Sequence, residues 1–157
     1  MNLSIKLVGL QELQQKFSQS PNVVSEELNK AMQDSVITLQ GEVRGLTPVD
    51  TGRLRQSVAT DVRSVGGTVI GTVGSVVTYA PFVEFGTRPH FPPIAAVSTW
   101  ASRHGFGPGG GFLVARAISI RGTKAVEMFQ KGLQASRGRI EQFFEAATRR
   151  FADRLNK

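Results

Sequence analysis

The chain predicts an α+β fold: a small antiparallel, hairpin-based sheet packed against a long helix in the N-terminal half and an amphipathic helix at the C-terminus. Three observations predict it. Apolar residues recur three and four apart over residues 21–44 and again toward the C-terminus, two runs of alternating β-branched residues flank Gly66-Gly67, and the βαβ alternation of a nucleotide-binding sheet is missing. The 157 residues, 40% hydrophobic and 20% charged, suit one domain over 1–157 with an ordinary core.

SIKLVG (residues 4–9) reads as a short strand and LQELQQKF (10–17) as a short helix. Ser20-Pro21 then supplies an N-cap and a first-turn proline, and Val24, Leu28, Met32, Val36, Leu39 and Val43 form the stripe of a helix from Pro21 to Arg44. Gly45 and Pro48 end it, since glycine relaxes a last turn and the residue before proline avoids helical geometry. PVDTGRLRQS (48–57) follows as a tight turn carrying charge.

Val58, Thr60 and Val62 alternate with Ala59, Asp61 and Arg63, and TVIGTVGSVV (68–77) puts Val69, Val73 and Val77 on one face. The Gly-Gly pair between them marks a hairpin, because primed turns require positive φ. In YAPFVEFGT (79–87), Glu84 interrupts an apolar, strand-like stretch. Pro92-Pro93 opens a helix with Ile94, Val97, Trp100 and Ala101, stopped at Gly105. GFGPGGGF (105–112) reads as a flexible Gly-rich loop, and Phe112 to Ile120 as strand or helix. From Ser136, the stripe Ile140, Phe143, Phe144, Ala147, Phe151 and Leu155 predicts the terminal helix, with Arg149, Arg150 and Arg154 on its wet side.

Catalytic equipment is sparse. Gly105 to Gly110 matches GxGxxG formally, but it follows a helix and contains proline, whereas a phosphate cradle follows a strand and opens a helix. The two histidines, His90 and His104, fall in no metal-ligand spacing, cysteine is absent, and no serine lies in a GxSxG elbow. No cofactor is expected. Asp50 and Glu84 are the one carboxylate pair for acid/base work, but Asp50 before Thr-Gly reads first as a turn or N-cap residue. Glu84, in apolar surroundings, calls for a cation, and Arg53, Arg55 or Arg88 are the candidates, either within the chain or across a subunit contact.

Without a long apolar run, neither a signal peptide nor a membrane span is expected, and the composition reads as a soluble, cytosolic one. Net charge is +7, unevenly spread. Residues 1–52 carry four basic and six acidic groups, while residues 53–157 carry fifteen and six. Such asymmetry marks a nucleic-acid face or a surface that docks on an acidic protein.

VDTGRLRQSV, then a hairpin, then YAPFVEFGT resembles the signature of the head-to-tail joining, or tail-completion (neck, minor tail), proteins of long-tailed double-stranded DNA bacteriophages. Val49-Asp50-Thr51-Gly52-x-Leu54 and Tyr79 through Thr87 carry the likeness. PPIAAVSTWASRHG and ARAISIRGTKAVEMF extend it more loosely to the C-terminus, with a departure at AVEMFQ, where the family shows a proline and a leucine around the aromatic at Phe129. The resemblance implies a structural virion protein without enzymatic activity. It would assemble in the host cytoplasm as a homo-oligomeric, hexameric ring between the head connector or stopper protein and the tail tube or tail terminator protein, with phage DNA passing through and no membrane contact. Asp50, Thr51, Gly52, Arg53, Leu54, Tyr79, Glu84, Phe85 and Gly86 are then the assembly residues. Arg63, Arg88, Arg103, Arg116 and Arg121 are candidates for a lumen-facing or partner-facing basic surface. The competing class is a small basic protein that binds nucleic acid non-specifically.

Overall fold

A long helix shared by two neighbours organises the chain. The computed structural model describes residues 2–6 and 21–155; the short helix expected at 10–17 and the Ser20 cap lie outside them. Helix α1 (Pro21–Leu46) runs two residues past the expected end, and Thr47 closes its last turn by donating its hydroxyl to the Val43 carbonyl at 2.6 Å. The expected stripe is buried throughout, from Val24 to Val43. Ser35 is tolerated within it because its hydroxyl bonds back to the Ala31 carbonyl at 2.6 Å.

One side of α1 meets the sheet. Strands β2 (Val58–Val65) and β3 (Thr68–Ser75) form the expected hairpin, in register from Val58 opposite Ser75 to Val65 opposite Thr68. Gly66 and Gly67, at φ 56° and 78°, make the two-residue turn that needs two left-handed residues. Strand β1 (Asn2–Lys6) pairs antiparallel with the other edge of β3, giving the order β1-β3-β2. Val69 and Val73 point into the core from β3. Gly71 between them lies directly beneath α1, where a Cβ would stand 2.5 Å from both Met32 Sδ and Val36 Cγ1. Helix and sheet approach this closely because that side chain is missing.

The other side of α1 meets α6 (Met128–Leu155), which starts eight residues before Ser136. Its first turns were not legible as helix, since Gly132 and a mixed polar pattern hide the fully buried Met128 and Phe129. The helices run antiparallel: Val43 faces Gly132, Glu42 pairs with Arg139, and Glu27 pairs with Arg150 at 2.7 Å and Arg154 at 3.4 Å. The Arg150 hydrogen bond holds the buried Glu27 carboxyl below the usual glutamate range, against the opposing pull of burial.

Four shorter helices occupy the end of the molecule where α1 finishes. Arg53–Ser57 forms α2, Ala80–Phe85 forms α3, and Ile94–Arg103 (α4) with Gly110–Arg121 (α5) forms a helical hairpin. Two expectations are corrected here. YAPFVEFGT is not a strand: Pro81 sits in the first turn of α3, and Ala80 and Glu84, four apart, face inward while Phe82 between them is 60% exposed, whereas a strand would put all three on one face. Gly110 to Phe112 belong to α5 and not to the loop, because α5 crosses α4 where a Cβ on Gly111 would come within 2.8 Å of the Ser98 backbone. The open choice for 112–120 is thereby resolved as helix.

Packing at Gly71 yields a direct prediction. Gly71→Val should force α1 away from β3 and lower unfolding free energy by about 1–3 kcal/mol, the usual cost of overpacking. Urea titration should show an earlier midpoint with an unchanged slope.

Candidate functional site

The two charged turns singled out in the sequence meet in space. Gly52, at φ 80°, turns the chain into α2 and accepts a hydrogen bond from the Gln56 amide at 2.9 Å. Leu54 is buried and anchors this helix, which leaves Arg53 and Arg55 exposed on either side. Ser57 is tied to Ser75 at the end of β3 by a 2.7 Å hydroxyl contact. The resulting 48–54 turn forms one wall of a cleft of about 350 Å³, with Tyr79 at the N-cap of α3, Val83 of α3, and Trp100 and His104 of the α4 end completing it.

Asp50 does not cap α2, whose N-cap position is held by Gly52 without a side-chain bond. Its carboxylate instead receives both arms of Arg103, one from Nε at 2.8 Å, with His104 Nδ1 at 3.9 Å. The last turn of α4 places Arg103 and His104 together over the turn, and the planar guanidinium matches the carboxylate edge to edge. The Arg103 bond holds the Asp50 carboxyl below its ordinary range, while the Arg103 guanidinium is raised. Arg103, expected to face a lumen or a partner, is thus engaged within the chain. Trp100 stacks on the His104 ring at 4.1 Å, which fixes the imidazole over the cleft.

Glu84 has only 1% of its surface exposed, and its bonds go to the backbone and not to Arg53, Arg55 or Arg88. Oε2 accepts from the Phe129 amide at 3.0 Å and Oε1 from the Gln130 amide at 3.2 Å. The first turn of α6 supplies what a cation would have supplied, since its N–H groups lack partners within the helix and carry the positive end of the helix dipole. The chain around it follows: Val126 donates to the Val83 carbonyl at 3.0 Å and Glu127 to the Glu84 carbonyl at 3.1 Å. Glu84 was recognisable as a buried group needing compensation. Its partner was not, because the α6 start was not legible.

A second feature escaped the sequence reading. Thr87 and Thr123 exchange backbone hydrogen bonds at 3.1 and 3.2 Å, and their hydroxyls meet at 3.0 Å. Each follows a glycine at positive φ, Gly86 at 71° and Gly122 at 69°, and a Cβ on either would run into the opposing backbone. The recurrence of Gly-Thr in FGT and RGT was the available signal. This bridge carries the α4–α5 hairpin and forms one side of an open groove of about 820 Å³, lined by Tyr79 at the N-cap of α3, by Phe82 and Val83 of α3 and by Ile118 and Val126, with the exposed Arg88 and Lys124 at its rim.

The remaining expected residues divide cleanly. Phe85 is 67% exposed and Phe82 60%, so α3 turns an apolar face outward. Arg63 pairs with Asp61 on the hairpin, remote from the cleft, while Arg88, Arg116 and Arg121 are exposed. Asp50 is taken by arginine and Glu84 by a helix terminus, so the two carboxylates do not converge as an acid/base pair. Among the described residues no group of three or more His, Cys, Asp or Glu side chains is placed to hold a metal ion, and no helix is long and apolar enough to cross a membrane.

Two outcomes follow from these contacts. Glu84→Ala should cost about 1–3 kcal/mol by leaving the Phe129 and Gln130 amides unsatisfied, and Glu84→Gln less, because one acceptor oxygen survives; thermal unfolding of both variants checks the order. The Asp50–Arg103 clasp, with a depressed carboxyl, should be fully present above the ordinary aspartate range and be lost as pH falls through the lowered folded value. Protection factors in α4, taken against the intrinsic exchange rate at each pH, should therefore fall in acid, and Asp50→Asn should lower them at neutral pH.

Residues 11–86 match the family model described as "Bacteriophage HK97-gp10, putative tail-component". The matched segment takes in α1, α2, the hairpin and α3, and ends at Gly86 before α4, α5 and α6. No curated protein and no solved structure matches the chain. Over the segment that brings the 48–54 turn against Tyr79 and Val83, the chain is therefore similar to a family of structural phage tail components, as VDTGRLRQSV and YAPFVEFGT had implied.

Proposed function

We propose that the protein is a structural virion component of the phage neck, joining the head connector or stopper protein to the tail tube or tail terminator protein as a ring of six copies around the DNA path. The observation that carries this reading is the meeting of the two motif stretches in one cleft, within the segment that matches the tail-component family. Val49 and Tyr79 of that cleft are 55% and 40% exposed, and Phe85, at the end of α3, is 67% exposed. Apolar side chains gathered this way favour a subunit contact over free solvent. Thr51, Gly52 and Arg53 present the polar edge of the same surface, while Asp50 and Glu84 act from within, Asp50 by setting the α4 end and Glu84 by holding α3 on α6.

Assembly would take place in the host cytoplasm and leave the protein in the virion. Of the five arginines considered for the DNA path, Arg63 and Arg103 are engaged with Asp61 and Asp50, so Arg88, Arg116 and Arg121 are left for a lumen or a partner. Their attraction for DNA would be non-specific and steeply salt-dependent, as passage through a channel requires.

Native mass spectrometry and negative-stain microscopy of the purified chain test the ring. We expect hexamers, and Phe85→Glu should shift them toward monomers by placing a charge in the contact. A chain that stays monomeric at all concentrations, and whose label falls away from the neck in intact particles, overturns the reading. Saturable binding of a random duplex that survives high salt would instead favour the basic nucleic-acid-binding class.

A further inference from the structure

Nine of the eleven described carboxylates are engaged within the chain, eight in ion pairs and Glu84 on the α6 terminus. Asp34 on α1 and Asp153 near the far end of α6 are the two others. The cations are not used up in the same way. Arg53, Arg55, Arg88, Arg116, Arg121 and Lys124 are all exposed, and none has a carboxylate partner among the described residues. All six lie on α2, on α5 or in the segments flanking the Thr87–Thr123 bridge. Lys30, exposed on α1, also forms no ion pair, so among the described residues most, and not all, of the exposed unpaired positive charge is gathered at the end that holds the groove.

That groove is not a generic basic surface. Its walls are Phe82, Val83, Ile118 and Val126, and its rim carries Arg88 and Lys124. Arg121 lies one helical turn beyond Ile118, and Tyr79 and Val83 also wall the adjoining cleft that brings in Arg53. We propose that the groove between α3 and α5 is the docking site for an acidic peptide segment of another protein, with apolar side chains on the groove walls and flanking carboxylates on Arg88 and Lys124.

Charge complementarity selects this occupant. A second copy of the chain is a poor match, because nearly all of its described carboxylates are already bound internally. A nucleic-acid backbone satisfies the rim but offers nothing apolar to cover Phe82, Ile118 and Val126. An acidic peptide with aromatic or aliphatic residues meets both demands, and its rim charges would accelerate association in a salt-dependent way. The inference deepens the tail-component reading by giving the chemistry of one partner.

Panning a random dodecapeptide display library against the full-length chain tests it. Enriched peptides should combine Asp or Glu with Phe, Leu, Ile or Trp, and a fluorescein-labelled member should bind more weakly as salt rises. The Arg88→Glu, Lys124→Glu double variant and, separately, Phe82→Asp should each weaken that peptide about tenfold or more. Arg149→Glu, in the last two turns of α6 and outside the groove lining, should not. Circular dichroism of each variant guards against misfolding, and Phe82→Ser serves if Phe82→Asp fails to fold. Failure to enrich acidic peptides, or binding unchanged in the groove variants, overturns the proposal. So does a short random duplex that displaces the peptide and is lost in the same variants, since the groove would then be a nucleic-acid site. Peptide binding is read on the free chain, so it can fail while hexamers still form, and it can persist if they do not.

Discussion

A single buried carboxylate holds the start of the longest helix to the rest of the molecule. Glu84 lies on α3 and bonds the Phe129 and Gln130 amides of α6, and the backbone bonds from Val126 and Glu127 align the two segments around it. Four N–H groups at a helix start have no partner inside the helix, and burying them unsatisfied is expensive. One glutamate answers part of that need while escaping the cost of its own burial, because the helix terminus stands in for a cation. The neighbouring Thr87–Thr123 bridge then fixes where the chain leaves α3 and where it returns from α5. The groove, the cleft and the outward face of Phe82 and Phe85 take their positions from this small region.

Charge is handled in two ways in the two halves of the structure. Along the α1–α6 seam, arginines of the terminal helix meet Glu26, Glu27 and Glu42 of α1, so the acidic surplus of the first 52 residues is neutralised by part of the basic surplus of the rest. Only Glu27 among these is well buried, and there Arg150 and Arg154 both favour the charged form of the carboxylate. At the other end, Arg88 and Lys124 share a groove with Phe82 and have no carboxylate partner among the described residues. A protein that folded only for its own stability would gain nothing from that arrangement; a protein that assembles with others gains both attraction and selectivity from it.

The dependence of the cleft on Asp50 is of a different kind. The Asp50–Arg103 pair is exposed to solvent and sets the position of the α4 end more than it stabilises the core. Trp100 and His104 reach the cleft because α4 ends there. The α4–α5 hairpin otherwise packs mainly on itself, so this clasp and the Thr87–Thr123 bridge are its principal ties to the body.

Periodicity and turn chemistry were sufficient to determine α1, the hairpin with its Gly66-Gly67 turn, the α4 segment and the apolar stripe of the last helix, because each depends on residues close in sequence. The likeness of VDTGRLRQSV and YAPFVEFGT to a phage tail-component family was also legible, since it resides in the residues themselves. Long-range pairing decided the rest. Glu84 reads as a strand residue seeking an arginine until α6 is seen to begin beside it, and Asp50 reads as a cap until Arg103 arrives from fifty-three residues away. The glycines at 71 and 111 carry no visible meaning until a second element presses on them. Local sequence specifies which elements can form, but the partner of a buried charge and the closeness of two backbones are properties of packing, and only the assembled tertiary structure contains them.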